Sequence, residues 1–397
     1  MKNFLKQAVG RVLQFFFSFF PISPQKIFFE TGTGEVKDHP KVFYDYLKAN
    51  HLDEFIIRWA VNPHVDVSSL EKSEIVHKRT FNYYYQLMTS HYWIRTHSIE
   101  SVFHKRPHQI YIQLWHGPGA IKKQGYDVQG TLNSQKTMPH AREWDYFIAT
   151  DPYSKKYIQT ALNLHIPRLL LGSCRSDALV NAKPEQRDYI RDKLGIRSSE
   201  QAILYAPTFR EYDFKKETVD LPIKKLCHLP NVRVILRVHP EIRHKLKLEE
   251  YGEQVIDGHI MTDIFDLYLA SDVLLTDYSS LSVEYMLLGK PIIYYMYDLE
   301  SYLQERDFYA DYLSCLAGPL VKSEKALISA VKTIKEVAQS YQTKYRYLNH
   351  IYNQGNDGHV CERFYELLSS GFFAQKEQWQ LPKTMKGGWQ DCDTQYI

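Results

Sequence analysis

A chain of 397 residues with 44% apolar and 24% charged residues reads as an ordinary globular protein, long enough for two domains with full cores. A net charge of +3 gives no argument for a nucleic-acid partner. Cys174, Cys227, Cys315, Cys361 and Cys392 are scattered with no C-x-x-C pair, which argues against a disulfide framework or zinc site and for a reducing compartment.

Residues 1–24 predict a membrane-surface amphipathic helix. Phe4, Leu5, Ala8, Val9, Val12, Leu13, Phe16 and Phe20 recur at helical spacing, Lys2, Lys6, Arg11 and Gln14 take the opposite face, and no acid precedes Glu30. The apolar run from Leu13 to Ile22 is interrupted by Gln14 and Ser18 and meets a proline, well short of the ~20 residues that cross a bilayer. A helix lying in the interface, attracted to anionic lipid, fits this pattern; a helix packed on the protein's own surface is the alternative. Phe19-Phe20-Pro21-Ile22 offers no small-residue site for signal cleavage.

From Lys26 onward apolar strand-like runs alternate with helical stretches, the pattern of parallel α/β units. Strands are expected at Lys26 to Glu30, Phe55 to Trp59, Tyr92 to Thr96, Ile110 to Leu114 and Asp145 to Ala149, with a helix near Pro40 to Ala49. A second set follows at Ala202 to Ala206, Val232 to Val238, Val273 to Thr276 and Ile292 to Tyr295. The polar segment Asn181 to Glu200 supplies the linker. The expected division is 25–182 for a first Rossmann-like domain, 183–372 for a second with closing helices, and 373–397 for a tail without periodicity.

Three segments carry chemistry. In S-D-V-L-L-T-D-Y-S-S-L-S-V-E, the apolar run Val273 to Thr276 is followed by a hydroxyl-rich turn, Asp277 to Ser280, and a helical stretch, Leu281 to Leu288, stopped by Gly289-Lys290-Pro291. Such a turn aims backbone N–H groups and a helix N-terminus beyond the strand tip, where a phosphate fits; simple helix capping by Ser279 or Ser280 is the alternative. Arg237-Val238-His239-Pro240 ends one strand, and Trp115-His116-Gly117-Pro118-Gly119 ends another ahead of Lys122 and Lys123. In open α/β sheets ligands bind outside the carboxyl ends of the strands, so all three segments are expected to point into one cleft.

Taken in order, W-H-G at Trp115 to Gly117, Y-A-P-T-F-R at Tyr205 to Arg210, R-V-H-P at Arg237 to Pro240 and T-D-Y-S-S-L-S-V-E at Thr276 to Glu284 resemble the CDP-glycerol glycerophosphotransferase family, over about Lys26 to Leu368. The resemblance implies a GT-B-like α/β fold, two Rossmann-like domains facing across a cleft, with the acceptor on the first and the CDP-polyol donor on the second. It implies His116 as the base that takes the acceptor hydroxyl's proton and His239 at the donor diphosphate. Gly117, Lys122, Arg210, Arg237, Thr276, Ser279 and Ser280 would serve substrate binding, and Glu284 the cytidine ribose; for Arg210 a carboxylate across the cleft, and for Arg237 a position facing the sheet, are the alternatives. Many members follow W-H-G with Thr-Pro, where this chain has Pro118-Gly119-Ala120.

The implied reaction transfers glycerol phosphate from CDP-glycerol to a hydroxyl of a lipid-linked saccharide or polyol-phosphate chain at the cytoplasmic membrane surface and releases CMP. Ribitol phosphate from CDP-ribitol, or a nucleotide sugar on the same architecture, are the alternatives; the paired glutamates eight residues apart that retaining sugar transferases often carry are missing, since Thr276 and Ile292 flank Glu284 at that spacing. No cofactor and no metal are expected: the only D-x-D, Asp391-Cys392-Asp393, lies in the tail. A homo-oligomer is left open.

Overall fold

The computed structural model describes residues 2–97, 104–117, 121–128, 141–210, 213, 215–219, 221–309 and 312–374. Two sheets organise the chain. The first contains β1 (Ser23–Glu30), β2 (Ile56–Val61), β3 (Ile75–His77), β4 (Ser90–Arg95), β5 (Ile110–Gln113), β6 (Tyr146–Ala149) and β7 (Arg168–Leu170), in the order β3-β2-β1-β4-β5-β6-β7. The second contains β8 (Gln201–Tyr205), β9 (Val232–Leu236), β10 (Val255–Asp257), β11 (Val273–Thr276), β12 (Ile292–Tyr295) and β13 (Leu320–Val321), in the order β10-β9-β8-β11-β12-β13. All the pairings are parallel.

Parallel strands covered on both faces need apolar residues at consecutive positions, and the sequence supplies them. Ile27, Phe28 and Phe29 of β1 are all fully buried. Because side chains alternate, Ile27 and Phe29 join the core on one face with Phe43 and Trp59, while Phe28 joins the other with Leu87 and Trp93. In the second sheet Ala202 and Leu204 of β8 face one layer and Ile203 and Tyr205 the other. Each such large side chain, withdrawn from water, stabilises by about 1.5–3 kcal/mol.

Strand order reverses between β1 and β4 in the first sheet and between β8 and β11 in the second. At each reversal the loops diverge to opposite faces and leave a crevice at the carboxyl ends, the switch point at which open α/β sheets bind ligands. The Asp277 to Ser280 turn, with the helical stretch behind it, sits at the second of these. Leu281–Tyr285 is α-helical, Met286–Leu288 tightens to 3-10, and Gly289 ends the stretch at φ 65°, a left-handed conformation that glycine adopts without a steric penalty.

The expected closing helices divide between the two cores. Glu324–Lys332 and Ile334–Asn353 pack Leu327, Val331, Leu348 and Tyr352 around the second sheet. Val360–Ser369 instead returns to the first sheet and buries Val360, Phe364, Leu367 and Leu368 there, with Phe364 4.5 Å from Phe43 between ring centroids. This differs from the expectation of a single unit over 183–372, because the apolar face of that helix matches the exposed side of the first core. Asp177 fixes the return by accepting from the N–H groups of Val360 (3.1 Å) and Cys361 (2.7 Å).

Lys2–Phe17 is helical. Phe17 turns inward, fully buried and 4.9 Å from Phe81 between ring centroids. Arg106 donates to the carbonyls of Phe17, Ser18 and Phe20 at 3.2, 2.9 and 2.8 Å, closing the helix's last turn. Val12, Phe15, Phe16 and Phe19 are exposed. Among the described residues no helix is long and apolar enough to cross a membrane.

Candidate active site

A cavity of about 270 Å³ lies where loops from the two sheets meet; Trp115, His116, Gly117 and Lys122 line it from the first, Tyr278, Ser279 and Ser280 from the second. Beyond β5 the chain turns sharply, with Trp115 at a φ of 59°. A bulky residue in the left-handed region is strained, and the strain is held by packing of the indole on Trp144 and Phe147 at 6.0 and 6.1 Å. The turn leaves His116 exposed to the cavity. Gly117 follows so close to the opposite loop that a Cβ there would lie 3.9 Å from Ser280 Oγ.

His116 stacks on His97 at 4.9 Å and 25°. Crowding by the cavity walls, then the neighbouring His97 and Arg175, hold its pKa well below the ordinary 6.5, and a hydrogen bond to the Thr96 carbonyl opposes them only in part. The imidazole is therefore neutral near pH 7, and the Thr96 bond fixes one ring nitrogen as donor, leaving the other to accept a proton. Lys122 reaches over the cavity toward Thr208 Oγ1 at 3.4 Å; burial lowers its pKa to about 8, with Asp277 opposing.

The second sheet's motif residues divide sharply. Ser279 and Ser280 line the cavity, as expected. Thr276 does not: it is fully buried and donates to the Ala206 carbonyl at 2.7 Å, tying β11 to the end of β8. Arg210 also leaves the expected substrate-binding set. Its buried guanidinium pairs with Asp277 at 2.9 Å and Asp298 at 2.5 Å and lies over the rings of Tyr278 and Tyr302 at 5.0 and 5.1 Å. Those two carboxylates raise its pKa against burial, so the charge is permanent and serves the loop rather than a ligand.

Arg237 is likewise a correction: it donates to the carbonyls of Gly258 (2.9 Å), Met261 (2.8 Å) and Thr262 (3.2 Å), clamping the loop after β10. His239 is absent from the cavity wall and packs on Phe209 at 5.0 Å. Phe209 in turn lines an adjoining cavity of about 230 Å³ that shares Lys122 and Gln124 with the first, so His239 stands behind its wall. Glu284, expected at a ribose, is buried and ion-paired with Arg175, and accepts from Tyr268 at 3.2 Å.

Arg175 was not legible as a site residue. It comes from the helix Cys174–Val180 and bridges Glu284 to Asp38 at 2.8 Å, joining the two sheets through a buried pair of carboxylates. Burial pushes Asp38 upward, but Arg175 and His39 hold its carboxyl down at about 2. Burial also pushes Glu284 up, with the same guanidinium opposing it, and the two carboxylates together raise Arg175 against its own burial. His39, fully buried beside Asp38, is pushed down to about 3 by burial. A second tie joins the sheets: Lys122 bridges Phe308 in antiparallel register, and Lys123 Nζ reaches Asp307 at 2.6 Å.

Among the described residues no three His, Cys, Asp or Glu side chains converge as a metal site. Asp391, Asp393 and Pro118-Gly119-Ala120 lie outside the described residues.

The chain is 30% identical over 363 residues to the teichoic acid glycerol-phosphate transferase of Staphylococcus aureus, an alignment covering 86% of this chain and 92% of that protein. It is 31% identical over 284 residues to the teichoic acid ribitol-phosphate primase of Bacillus spizizenii, covering 67% of this chain and 71% of the other. Its fold superposes on the wall teichoic acid polymerase TagF with a TM-score of 0.81 at 25% identity, covering 95% of this chain and 98% of that one. The pattern of the CDP-glycerol:poly(glycerophosphate) glycerophosphotransferases matches residues 12–370, and the chain belongs to that family.

Proposed function

We propose that the protein transfers glycerol phosphate from CDP-glycerol to a hydroxyl of a lipid-linked saccharide or polyol-phosphate chain. The reading rests on one observation above the others: a neutral, oriented imidazole, His116, shares a cavity with the Ser279-Ser280 turn of the opposite sheet. The acceptor hydroxyl oxygen attacks the phosphorus nearer the glycerol while its proton passes to the free ring nitrogen of His116. The bond from that phosphorus to the bridging oxygen breaks, CMP leaves with the electron pair, and a phosphodiester results. In such transfers the protein supplies alignment and charge stabilisation. The hydroxyls of Ser279 and Ser280 hold the diphosphate, Lys122 adds positive charge over it, and His239 supports that wall from behind Phe209.

In this reading residues 25–182 supply the acceptor side and 183–372 most of the donor side. The helix Lys2–Phe17 and the turn after it rest on the cytoplasmic membrane surface through Val12, Phe15 and Phe19, which are 67%, 69% and 73% exposed. That position suits an acceptor anchored in lipid. Similarity to the ribitol-phosphate primase supports CDP-ribitol as the second reading for the donor.

The deciding experiment incubates the protein with CDP-glycerol and with CDP-ribitol, each with a lipid-linked saccharide acceptor, and measures CMP release and product length. CMP release with CDP-glycerol exceeding that with CDP-ribitol is expected; absence of release from both overturns the reading. Sedimentation with anionic vesicles, with and without residues 1–22, tests the membrane contact.

A further inference from the structure

A second cavity, of about 190 Å³, opens at the switch point of the first sheet, on the same edge as His116. Its walls come from the helix Phe81–Thr89, through Tyr83 and Tyr84, and from the carboxyl ends of four strands and the residues just beyond them: Glu30 and Gly32 at β1, Asn62 at β2, Lys78 and Arg79 at β3, and Arg95 and His97 at β4. Among the described residues of this lining, three basic side chains and one carboxylate come together. Glu30 is already committed, to Lys78 Nζ at 2.6 Å, to Arg95 at 2.9 Å and to the Tyr83 hydroxyl at 2.9 Å.

Arg95 is the informative member. It is 3% exposed, yet its Nε and Nη1 have no hydrogen-bond partner. A buried guanidinium with two unmet donors is costly unless an anion completes it. Arg95 is the one arginine among the described residues with two buried donors unmet, whereas at the other switch point Arg210 is matched by Asp298, Asp277 and the Thr208 carbonyl. Arginine also presents the flat fork that grips phosphate through two parallel bonds.

The cavity leads to the presumed base. His97 lines it and stacks on His116. The ring lies so close over Gly32 that a Cβ there would come within 2.1 Å of His97 Nδ1, so this glycine permits the placement. An anion held by Arg95, Lys78 and Arg79 is therefore one imidazole away from the ring that takes the acceptor's proton.

We infer that the cavity bounded by Lys78, Arg79, Arg95 and His97 is a subsite for a phosphate of the acceptor, the glycerol-phosphate unit that precedes the attacking hydroxyl. This rests on the transferase reading above and adds a rule to it: an acceptor that already carries a glycerol phosphate is used better than the bare saccharide.

Two variants test it without emptying the buried cluster. Lys78→Gln keeps a hydrogen bond to Glu30, and Arg79→Asn suits the left-handed φ of 64° at that position. With CDP-glycerol as donor, kcat/KM is measured for a synthetic saccharide ending in glycerol phosphate and for the same saccharide without it. The ratio of the two is expected to fall about tenfold in each variant; an equal loss for both acceptors overturns the subsite. Calorimetry with sn-glycerol 3-phosphate tests the pocket independently of turnover. Binding that weakens about tenfold in Lys78→Gln and Arg79→Asn but persists in Ser280→Ala supports the subsite even if CDP-glycerol proves not to be the donor. No binding to the wild-type chain, or equal binding by all the variants, overturns it. Unchanged melting temperatures identify the variants as folded.

Discussion

At the switch point of the second sheet the central arginine is matched inside the fold, whereas at that of the first sheet Arg95 keeps two buried donors unmet. Around β8 and β11, Arg210 is held between Asp277 and Asp298, and the Asp277 carboxylate also accepts from the N–H groups of Thr208 and Tyr278 at 2.8 and 2.6 Å. Around β1 and β4, Arg95 retains unpaired donors, and His97 and His116 stack on each other with both imidazoles held below the ordinary value by the crowding of the cavity walls. The contrast separates two ways of making a site. One crevice is a frame with the serines at its tip, where Ser279 Oγ accepts from the Leu281 N–H at 3.3 Å; the other leaves part of its cationic group unsatisfied. Motif residues that look like ligands can therefore be the frame.

The largest effect is expected at His116. His116→Ala should lower turnover by ~10² to 10⁴ while CDP-glycerol affinity, read by calorimetry, is kept; equal turnover would remove the base from the first crevice and the comparison with it. Next comes the frame. Arg210→Ala leaves Asp277 and Asp298 buried without a counter-charge, and urea denaturation should show a loss of about 3–5 kcal/mol. Reduced donor affinity at unchanged stability would instead place this guanidinium on the ligand.

A smaller effect sharpens the boundary between the two crevices, where Arg175 joins Asp38 to Glu284. The Asp38 carboxyl sits at about 2 in the folded chain against an ordinary 3.8. A depressed carboxyl stabilises fully above its unfolded pKa and loses that contribution as pH falls through the folded one. About 2 kcal/mol should thus disappear between pH 4 and pH 2, and Asp38→Asn should flatten that stretch of the stability curve. Identical curves would mean that the arginine does not hold Asp38. Smallest is Ser280→Ala, which removes one hydroxyl from the frame's tip; the KM for CDP-glycerol should rise by about five- to tenfold. An unaltered KM would turn that side chain away from the donor.

The expected strands from β1 to β12 emerged where apolar runs were long, and all four that went unread, β3, β7, β10 and β13, are sheet edges of two or three residues. An edge strand that short buries too little to write a pattern above that of a loop. The site divided similarly. His116, Gly117, Lys122, Ser279 and Ser280 were legible because strand tips deliver them directly. Thr276, Arg210, Arg237 and Glu284 carry the same motif letters but face backbone carbonyls, carboxylates or, for Glu284, a guanidinium, a choice of side-chain direction that spacing does not encode. Arg175 meets Glu284 across 109 positions, and Asp38, His39 and His97 gain meaning only when β1 and β4 become neighbours.

The returning helix Val360–Ser369 gives the molecule a mechanical property. The polypeptide passes between the sheets once on the way out, after Val180, and once on the way back, before Val360. The two passages lie side by side, where Asn181 Nδ2 donates to Gly358 O at 2.8 Å and Asn356 Oδ1 accepts from Ser173 N–H at 2.7 Å. A door hung on two adjacent pins swings about one axis and does not slide. Relative motion of the two sheets is thereby expected to be rocking about that paired crossing, which would keep the serine tip and the histidine in one register.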